Sequence, residues 1–146
     1  KEVCVVREAL EAAKVEGVTA MHDPTEGGVL TALHELAEAS KVGLLVYEDK
    51  IFMAEETEKL CRHFGINPLG ALSSGALLIA VRRESVDILL SSMRRLGVRA
   101  EIIGEVKDRS FGRKIVLKNC EMADLPLPER EELWNLFDKI TRRRSL

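Results

Sequence analysis

The sequence predicts an α/β or α+β domain in which helices pack on a mixed β-sheet. Two patterns support this class: amphipathic helical segments alternate with short apolar extended runs, and the last two extended runs lie close together in sequence. The length is that of one domain, and a domain of 146 residues can bury roughly 70% of the surface that its unfolded chain exposes. We therefore expect a single domain over residues 1–146.

The composition narrows the range of functions. Lysine and arginine total 22 against 24 aspartate and glutamate, and the two signs are mixed along the chain, which argues against a nucleic-acid partner. No apolar run approaches the ~20 residues that a membrane-spanning helix needs, so we expect no membrane partner and a cytoplasmic location. Cys4, Cys61 and Cys120 are widely separated, which favours buried or neutral thiols over disulfide bonds or a zinc site.

The first part of the chain predicts two helices around one extended segment. Apolar residues at helical spacing predict a helix over residues 3–16, and Gly17 ends it. Residues 18–21 are short, apolar and extended. A second helix with one apolar face follows and ends at about Ser40.

The middle of the chain predicts strands around a third helix. Residues 43–47 are typical of a buried strand, and residues 50–54 of a second short extended piece. The third helix begins at Glu55, where carboxylates complement the helix dipole, and ends before Gly65. Residues 76–81 form an apolar run too short for a helix, so we predict a central strand.

The last part predicts two helices and two strands. A fourth helix covers residues 84–96, and residues 98–106 are extended with Gly104 as a bulge. Residues 115–117 form the last strand, which we expect to pair with residues 98–106 as a hairpin. Residues 122–128 are predicted as a loop. The C-terminal helix follows, with an inner face at Leu133, Phe137 and Ile140, widened by Trp134 and Leu136.

A polar, glycine-rich segment at residues 22–28 is the main candidate for chemistry. Pro24 keeps Asp23 extended, so the second helix begins after it, with Asp23 or Thr25 as its N-cap. Gly27 and Gly28 are poor helix formers, but glycine lets the first turn bring its amides close to a phosphate or carboxylate. The alternative is that the glycines allow tight packing against a neighbouring strand.

Four blocks with a characteristic order and spacing extend this motif. They are His22-Asp23-Pro24-Thr25-Glu26-Gly27-Gly28, Leu33-His34-Glu35-Leu36-Ala37, Gly65-Ile66-Asn67-Pro68-Leu69, and Ser73-Ser74-Gly75-Ala76-Leu77-Leu78-Ile79-Ala80-Val81. Together they resemble the C-terminal domain of the aminoimidazole ribonucleotide (AIR) synthase-related superfamily. Their spacing is most similar to that of its hydrogenase-maturation branch.

The resemblance implies a fold, a chemistry and a missing domain. The fold is helices on a mixed sheet, with partial ferredoxin-like character. The chemistry is ATP-dependent phosphorylation of a substrate nucleophile, followed by displacement. ATP and Mg are implied for the full-length enzyme, on an N-terminal ATP-binding domain that is absent from this chain. This domain alone is expected to bind no cofactor and to be inactive.

The resemblance also implies site residues and partners. Substrate or phosphate would contact Asp23, Thr25, Gly27, Gly28, Ser73, Ser74 and Gly75. The partners would be a phosphorylated or carboxylate-type small molecule and the ATP-binding domain, in cis or in trans. A homodimer is left open, with Gly43–Tyr47 or another edge strand pairing between chains. The competing interpretation is a non-catalytic module that keeps the fold and binds a small anion or a protein.

The sequence differs from the hydrogenase-maturation branch at two places, and its candidate metal ligands are too few for a site. These observations limit which reaction can be assigned. The hydrogenase-maturation proteins end in a reactive cysteine, whereas this sequence ends in Arg142-Arg143-Arg144-Ser145-Leu146. Ser74 stands where that branch often has an acidic residue, so acid or base catalysis there is doubtful. His22, Asp23 and Glu26 make an incomplete ligand set, so no metal site is predicted, and no catalytic residue is assigned.

Overall fold

The computed structural model describes residues 3–129 and 132–143. Its helices and strands in chain order are α1 (Val6–Ala12), β1 (Val18–His22), α2 (Gly28–Ser40), β2 (Gly43–Tyr47), α3 (Glu55–Phe64), β3 (Leu78–Val81), α4 (Val86–Arg95), β4 (Gly104–Lys107), β5 (Arg113–Val116), β6 (Met122–Asp124) and α5 (Glu132–Arg143). Short 3₁₀ turns lie between them, at Glu48–Lys50, Pro68–Gly70, Arg83–Ser85 and Arg109–Phe111. No helix among these residues is long and apolar enough to cross a membrane.

The strands form two sheets, and the larger one is mixed. β1 and β3 pair antiparallel, whereas the four-stranded sheet has the order β4-β2-β5-β6. In that sheet β2 is parallel to β5, and the other two pairings are antiparallel. The predicted α+β class with a mixed sheet is therefore confirmed.

Two apolar clusters hold these elements together. The larger one joins the inner face of α2 to the four-stranded sheet, and among its largest buried side chains are Leu30, Val46 and Ile115, each at most 2% exposed. The smaller one joins α1 to α4 through Ala12, Val15, Leu89 and Met93, with β1 and β3 residues packed against it. Side chains alternate between the two faces of β2, and Leu44 and Val46 are both buried on the face that packs in the larger cluster.

The strand pairings correct several predictions. β4 and β5 flank β2 on opposite sides, so the predicted hairpin between them is wrong. Gly43–Tyr47 is consequently an interior strand, not an edge. The loop predicted over residues 122–128 contains β6, which pairs with β5. Residues 76–81 contain β3, but its partner is β1 in the two-stranded sheet, so the strand is not central.

The remaining corrections concern local geometry. Gly104 makes no bulge: its register with Val46 is regular, and it is glycine because a Cβ would lie 2.4 Å from the Leu45 carbonyl oxygen. Residues 50–54 form no strand: Lys50 ends the 3₁₀ turn after β2, and residues 51–54 connect this turn to α3. The first helix is shorter than predicted, because residues 13–17 turn into β1.

The predicted side-chain environments are only partly correct. Phe137, predicted on the inner face of the C-terminal helix, is 55% exposed. The side chain of Ile140 and residues 144–146 lie outside the described residues. Cys61 is buried, and burial raises the pKa of its thiol with a smaller contribution from the charge of Glu132, but Cys4 and Cys120 are exposed.

A polar network ties α2 to β5 and to the segment after β6. Nη1 of Arg113 donates to Nδ1 of His34 at 3.1 Å, and Nη2 of Arg113 donates to a Glu38 carboxylate oxygen. Nε2 of His34 donates to the carbonyl oxygen of Leu125 at 3.1 Å. These contacts require the His34 tautomer that carries its proton on Nε2, since Nδ1 must accept. His34 is therefore a half-buried structural residue.

We predict that Arg113→Met lowers the free energy of unfolding by about 1–3 kcal/mol, because it removes two hydrogen bonds of a partly buried network. The matched control is Lys114→Met on the same strand, which removes an ion pair to Asp124, whose side chain is 85% exposed. That change should cost less than about 1 kcal/mol. Urea denaturation of both variants checks this, and equal losses would contradict the structural role of Arg113.

Candidate functional site

The predicted site begins in the connection between β1 and α2. Pro24 is buried in the middle of this connection, while Asp23, Thr25 and Glu26 are exposed on either side of it. Burying the proline ring anchors the segment, and the polar side chains next to it point to solvent. The polar residues of the motif are therefore available for contact with another molecule.

The start of α2 differs from the prediction. Gly27 is the N-cap residue, in the left-handed conformation with φ of 74°, and no side chain caps the helix. The predicted capping by Asp23 or Thr25 is therefore wrong. The backbone makes the turn instead, because the Gly28 N–H donates to the Thr25 carbonyl oxygen at 3.1 Å. Both glycines of the motif have positive φ, which β-carbons strongly disfavour.

Gly28 is also required by close packing. A Cβ at this position would lie 2.4 Å from the carbonyl oxygen of Ala71 and 2.5 Å from that of Leu69. The first turn of α2 thus packs on the backbone around the 3₁₀ turn Pro68–Gly70, and not on a neighbouring strand as the packing alternative predicts. This contact was not predicted, although Asn67 before Pro68 is a turn signal, and its Oδ1 accepts from the Leu69 N–H at 3.0 Å.

The second predicted loop lies directly beside the first. The Ser73 N–H donates to the Thr25 carbonyl oxygen at 3.4 Å, so one carbonyl joins both loops. The Ser73 hydroxyl donates to the Ala71 carbonyl oxygen at 2.9 Å and is thereby engaged in the loop itself. Ser74 and Gly75 are exposed at the tip of the turn. The two loops predicted from the sequence as the candidate site therefore lie together in the structure.

The charges at this site are acidic. Asp23 and Glu26 are exposed carboxylates, and residues 22–28 and 73–75 contain no lysine or arginine. Nε2 of His22 lies 2.7 Å from Oε2 of Glu35, so this imidazole pairs with α2. In the described part of the chain, no group of three His, Cys, Asp or Glu side chains is arranged to hold a metal ion. An anion at these loops must therefore be neutralised by groups other than their own side chains.

Two cavities of the structure lie away from these loops. One, of about 70 Å³, lies between the Glu48–Lys50 turn and α3, with Met53, Leu69 and Lys118 in its lining. The other, of about 230 Å³, is lined by Asp49, Lys50, Phe52, Arg99 and Glu101. Neither contains a predicted site residue. The polar residues of the candidate site lie on an exposed surface formed by two neighbouring loops.

Comparisons with known proteins agree on one family. The family model of the AIR synthase related protein, C-terminal domain, matches residues 2–116. A Methanocaldococcus jannaschii protein provisionally named as a hydrogenase expression/formation protein is 37% identical over 131 residues, which cover 86% of this chain and 39% of that protein. Carbamoyl dehydratase HypE of Escherichia coli is 32% identical over 121 residues, covering 82% of this chain and 36% of that protein.

Solved structures agree with the sequence matches. The crystal structure of E. coli HypE superposes with a TM-score of 0.79 at 28% identity, covering 90% of this chain and 41% of that one. A hydrogenase maturation protein HypE in complex with ATP gives a TM-score of 0.76 at 25% identity, covering 85% of this chain and 40% of that one. The chain thus spans less than half the length of the curated relatives described here.

We predict that Gly28→Ala lowers the free energy of unfolding by roughly 2–5 kcal/mol, because the methyl group meets two backbone carbonyls in addition to the strain of positive φ. The matched control is Gly65→Ala, whose φ of 64° is similar but which has open space around its Cβ position. That variant should lose about 1–2 kcal/mol. Chemical denaturation measures both, and the close packing of α2 is contradicted if the two losses are equal.

Proposed function

The chain belongs to the family of AIR synthase related proteins through their C-terminal domain, and we propose that it forms the substrate- and phosphate-binding wall of an ATP-dependent enzyme. The observation that carries this proposal is the Ser73 N–H···O=C Thr25 hydrogen bond, which holds the two candidate loops side by side. Thr25, Ser74 and Gly75 then offer hydroxyl and amide groups from one exposed surface. Phosphoryl transfer depends mainly on positioning and charge stabilisation, to which such groups contribute.

The open shape of the site supports the need for a second domain. Thr25, Ser74 and Gly75 are exposed, whereas a site that binds a small molecule usually surrounds most of it. We propose that an ATP-binding domain, in cis or in trans, covers these loops and completes the cleft. The length comparison supports this arrangement, since more than half of each described relative lies outside the matched region. On this proposal residues 1–146 alone have no activity.

Because the loops are acidic, we propose that Mg²⁺ bound with ATP neutralises the charge of the phosphate. Asp23 supplies a carboxylate oxygen of the kind that Mg²⁺ prefers, but the described residues do not provide a full ligand set. ATP with magnesium would supply the phosphoryl group and neutralise part of its charge. Thr25 and Ser74 would then orient the substrate by hydrogen bonds, and the amides at the start of α2 would face negative charge. The substrate class that fits is a phosphorylated or carboxylate-type small molecule.

We expect inorganic phosphate, titrated in the presence of Mg²⁺, to shift the amide NMR signals of residues 25–29 and 73–75. Thr25→Val should raise the Kd roughly tenfold, because it removes a hydrogen bond to a charged group while keeping the side-chain shape. The control is Thr57→Val, an exposed threonine on α3 outside both loops, which should leave the Kd unchanged.

The same titration separates phosphate binding at these loops from the alternative that Gly27 and Gly28 serve packing alone. If the amides of both loops do not respond with or without Mg²⁺, the glycines serve packing alone and the phosphate-binding role is excluded. A phosphate response that Thr25→Val and Thr57→Val weaken equally would also exclude these loops as the binding site.

A further inference from the structure

The ladder between β2 and β4 opens into a cavity at one end. At this end the Tyr47 N–H donates to the Ile103 carbonyl oxygen at 2.8 Å. Beyond that bond, the chain after β2 enters the 3₁₀ turn Glu48–Lys50, and residues 98–103 before β4 belong to no helix or strand. The cavity of about 230 Å³ lies between these two segments and is lined by side chains from both.

The cavity lies where a longer ladder would bring two like charges together. β2 and β4 pair with Val46 opposite Gly104, and continuing this register would place Asp49 directly opposite Glu101. Two carboxylates in such positions destabilise a strand pair. Instead, Asp49 lies in the 3₁₀ turn, and both carboxylates line the cavity, one from each segment. A cationic group between them would relieve their repulsion.

Two cations line the same cavity. Nζ of Lys50 lies 3.3 Å from Oδ2 of Asp49, and Nη2 of Arg99 lies 3.7 Å from Oε1 of Glu101. Both distances exceed the about 2.7–2.9 Å of a charge-assisted hydrogen bond. All four side chains are at least 50% exposed, and exposed ion pairs contribute little to the free energy of unfolding. The four charges are therefore available to a ligand.

An aromatic ring positions one of these cations. Cζ of Arg99 lies 4.1 Å from the centroid of the Phe52 ring, which is within the range of a cation–π contact. This contact restrains a long side chain whose N–H groups can bind a carboxylate through two parallel hydrogen bonds. Phe52 is 60% exposed and lines the cavity, so its ring also offers apolar surface there.

We propose that this cavity binds a free α-amino acid with an apolar side chain. The carboxylate of the ligand binds the Arg99 guanidinium, with Lys50 beside it. Its ammonium group lies between Asp49 and Glu101, and its side chain packs on Phe52. The site lies outside both candidate loops, so it does not depend on the proposed phosphate-binding role.

The charges and the size of the cavity select this class of ligand. Two positive and two negative side chains match a zwitterion, whereas a simple anion or a simple amine leaves one pair of charges unmatched. A free amino acid carries both charges on one carbon, and a peptide end carries only one of them. The cavity is also smaller than the roughly 300–1,000 Å³ of pockets for drug-sized molecules, which suits a ligand of a few heavy atoms.

Titration with L-leucine, followed by amide NMR, tests the site. We expect saturable shifts at residues 49–52 and 99–101. Isocaproate lacks the ammonium group and isoamylamine lacks the carboxylate, so each should bind roughly tenfold more weakly than L-leucine. The proposal is overturned if L-leucine gives no saturable shifts at these residues up to roughly 50 mM, or if the three compounds bind equally.

Substitutions test the assigned contacts. Arg99→Lys keeps the charge but loses the paired hydrogen bonds, and it should raise the Kd for L-leucine roughly tenfold. The matched control is Arg109→Lys, an exposed arginine outside the cavity, which should leave this Kd unchanged. Glu101→Gln should weaken the binding of L-leucine but not that of isocaproate, because only L-leucine has an ammonium group. Equal effects of Arg99→Lys and Arg109→Lys, or equal effects of Glu101→Gln on both compounds, overturn the proposal.

Discussion

The contact between the first turn of α2 and the backbone of residues 69–71 is the constraint on which the candidate site depends. Only a residue without a Cβ lets the helix approach two carbonyl oxygens to this distance, and Gly28 occupies that position. The approach brings the Thr25 carbonyl within reach of the Ser73 N–H. A larger residue would separate the loops and with them the surface they form. The same contact seats α2 over the sheet, where its apolar face fills the larger core.

The elements best predicted from the sequence are those whose signals are local. α2 and α3 combine an apolar face with clear end signals, and β2 is a short apolar run between polar turns, so their predicted and observed limits agree closely. Strand pairing is different, because no local pattern specifies which strands become neighbours. That is why a hairpin between β4 and β5 was predicted where β2 in fact separates them. β6 was missed because three residues carry too little periodicity to distinguish a strand from a loop.

Only part of the geometry of the candidate site could be predicted from the sequence. The identity of the two loops followed from the ordered blocks around residues 22–28 and 73–75, and the structure places these loops side by side. The capping of α2 was not predictable in the same way. A threonine or aspartate near a helix start favours a side-chain cap, but Gly27 adopts a left-handed conformation and makes the turn with backbone bonds. The neighbouring Gly28 packs against the carbonyl oxygens of Leu69 and Ala71, a long-range contact that no local signal encodes.

The parallel pairing of β2 with β5 has a consequence for how the chain folds. Neither neighbour of β2 is made until residue 104 has left the ribosome, at a minimum of 57 residues after Tyr47. At about 5–20 residues per second, β2 therefore waits for several seconds with both edges unpaired. Such long-range closures slow folding and expose apolar strands meanwhile. The amphipathic helix α2 is complete before β2 emerges, and its apolar face, which packs on Leu44 and Val46 in the folded domain, is available to cover this strand during synthesis.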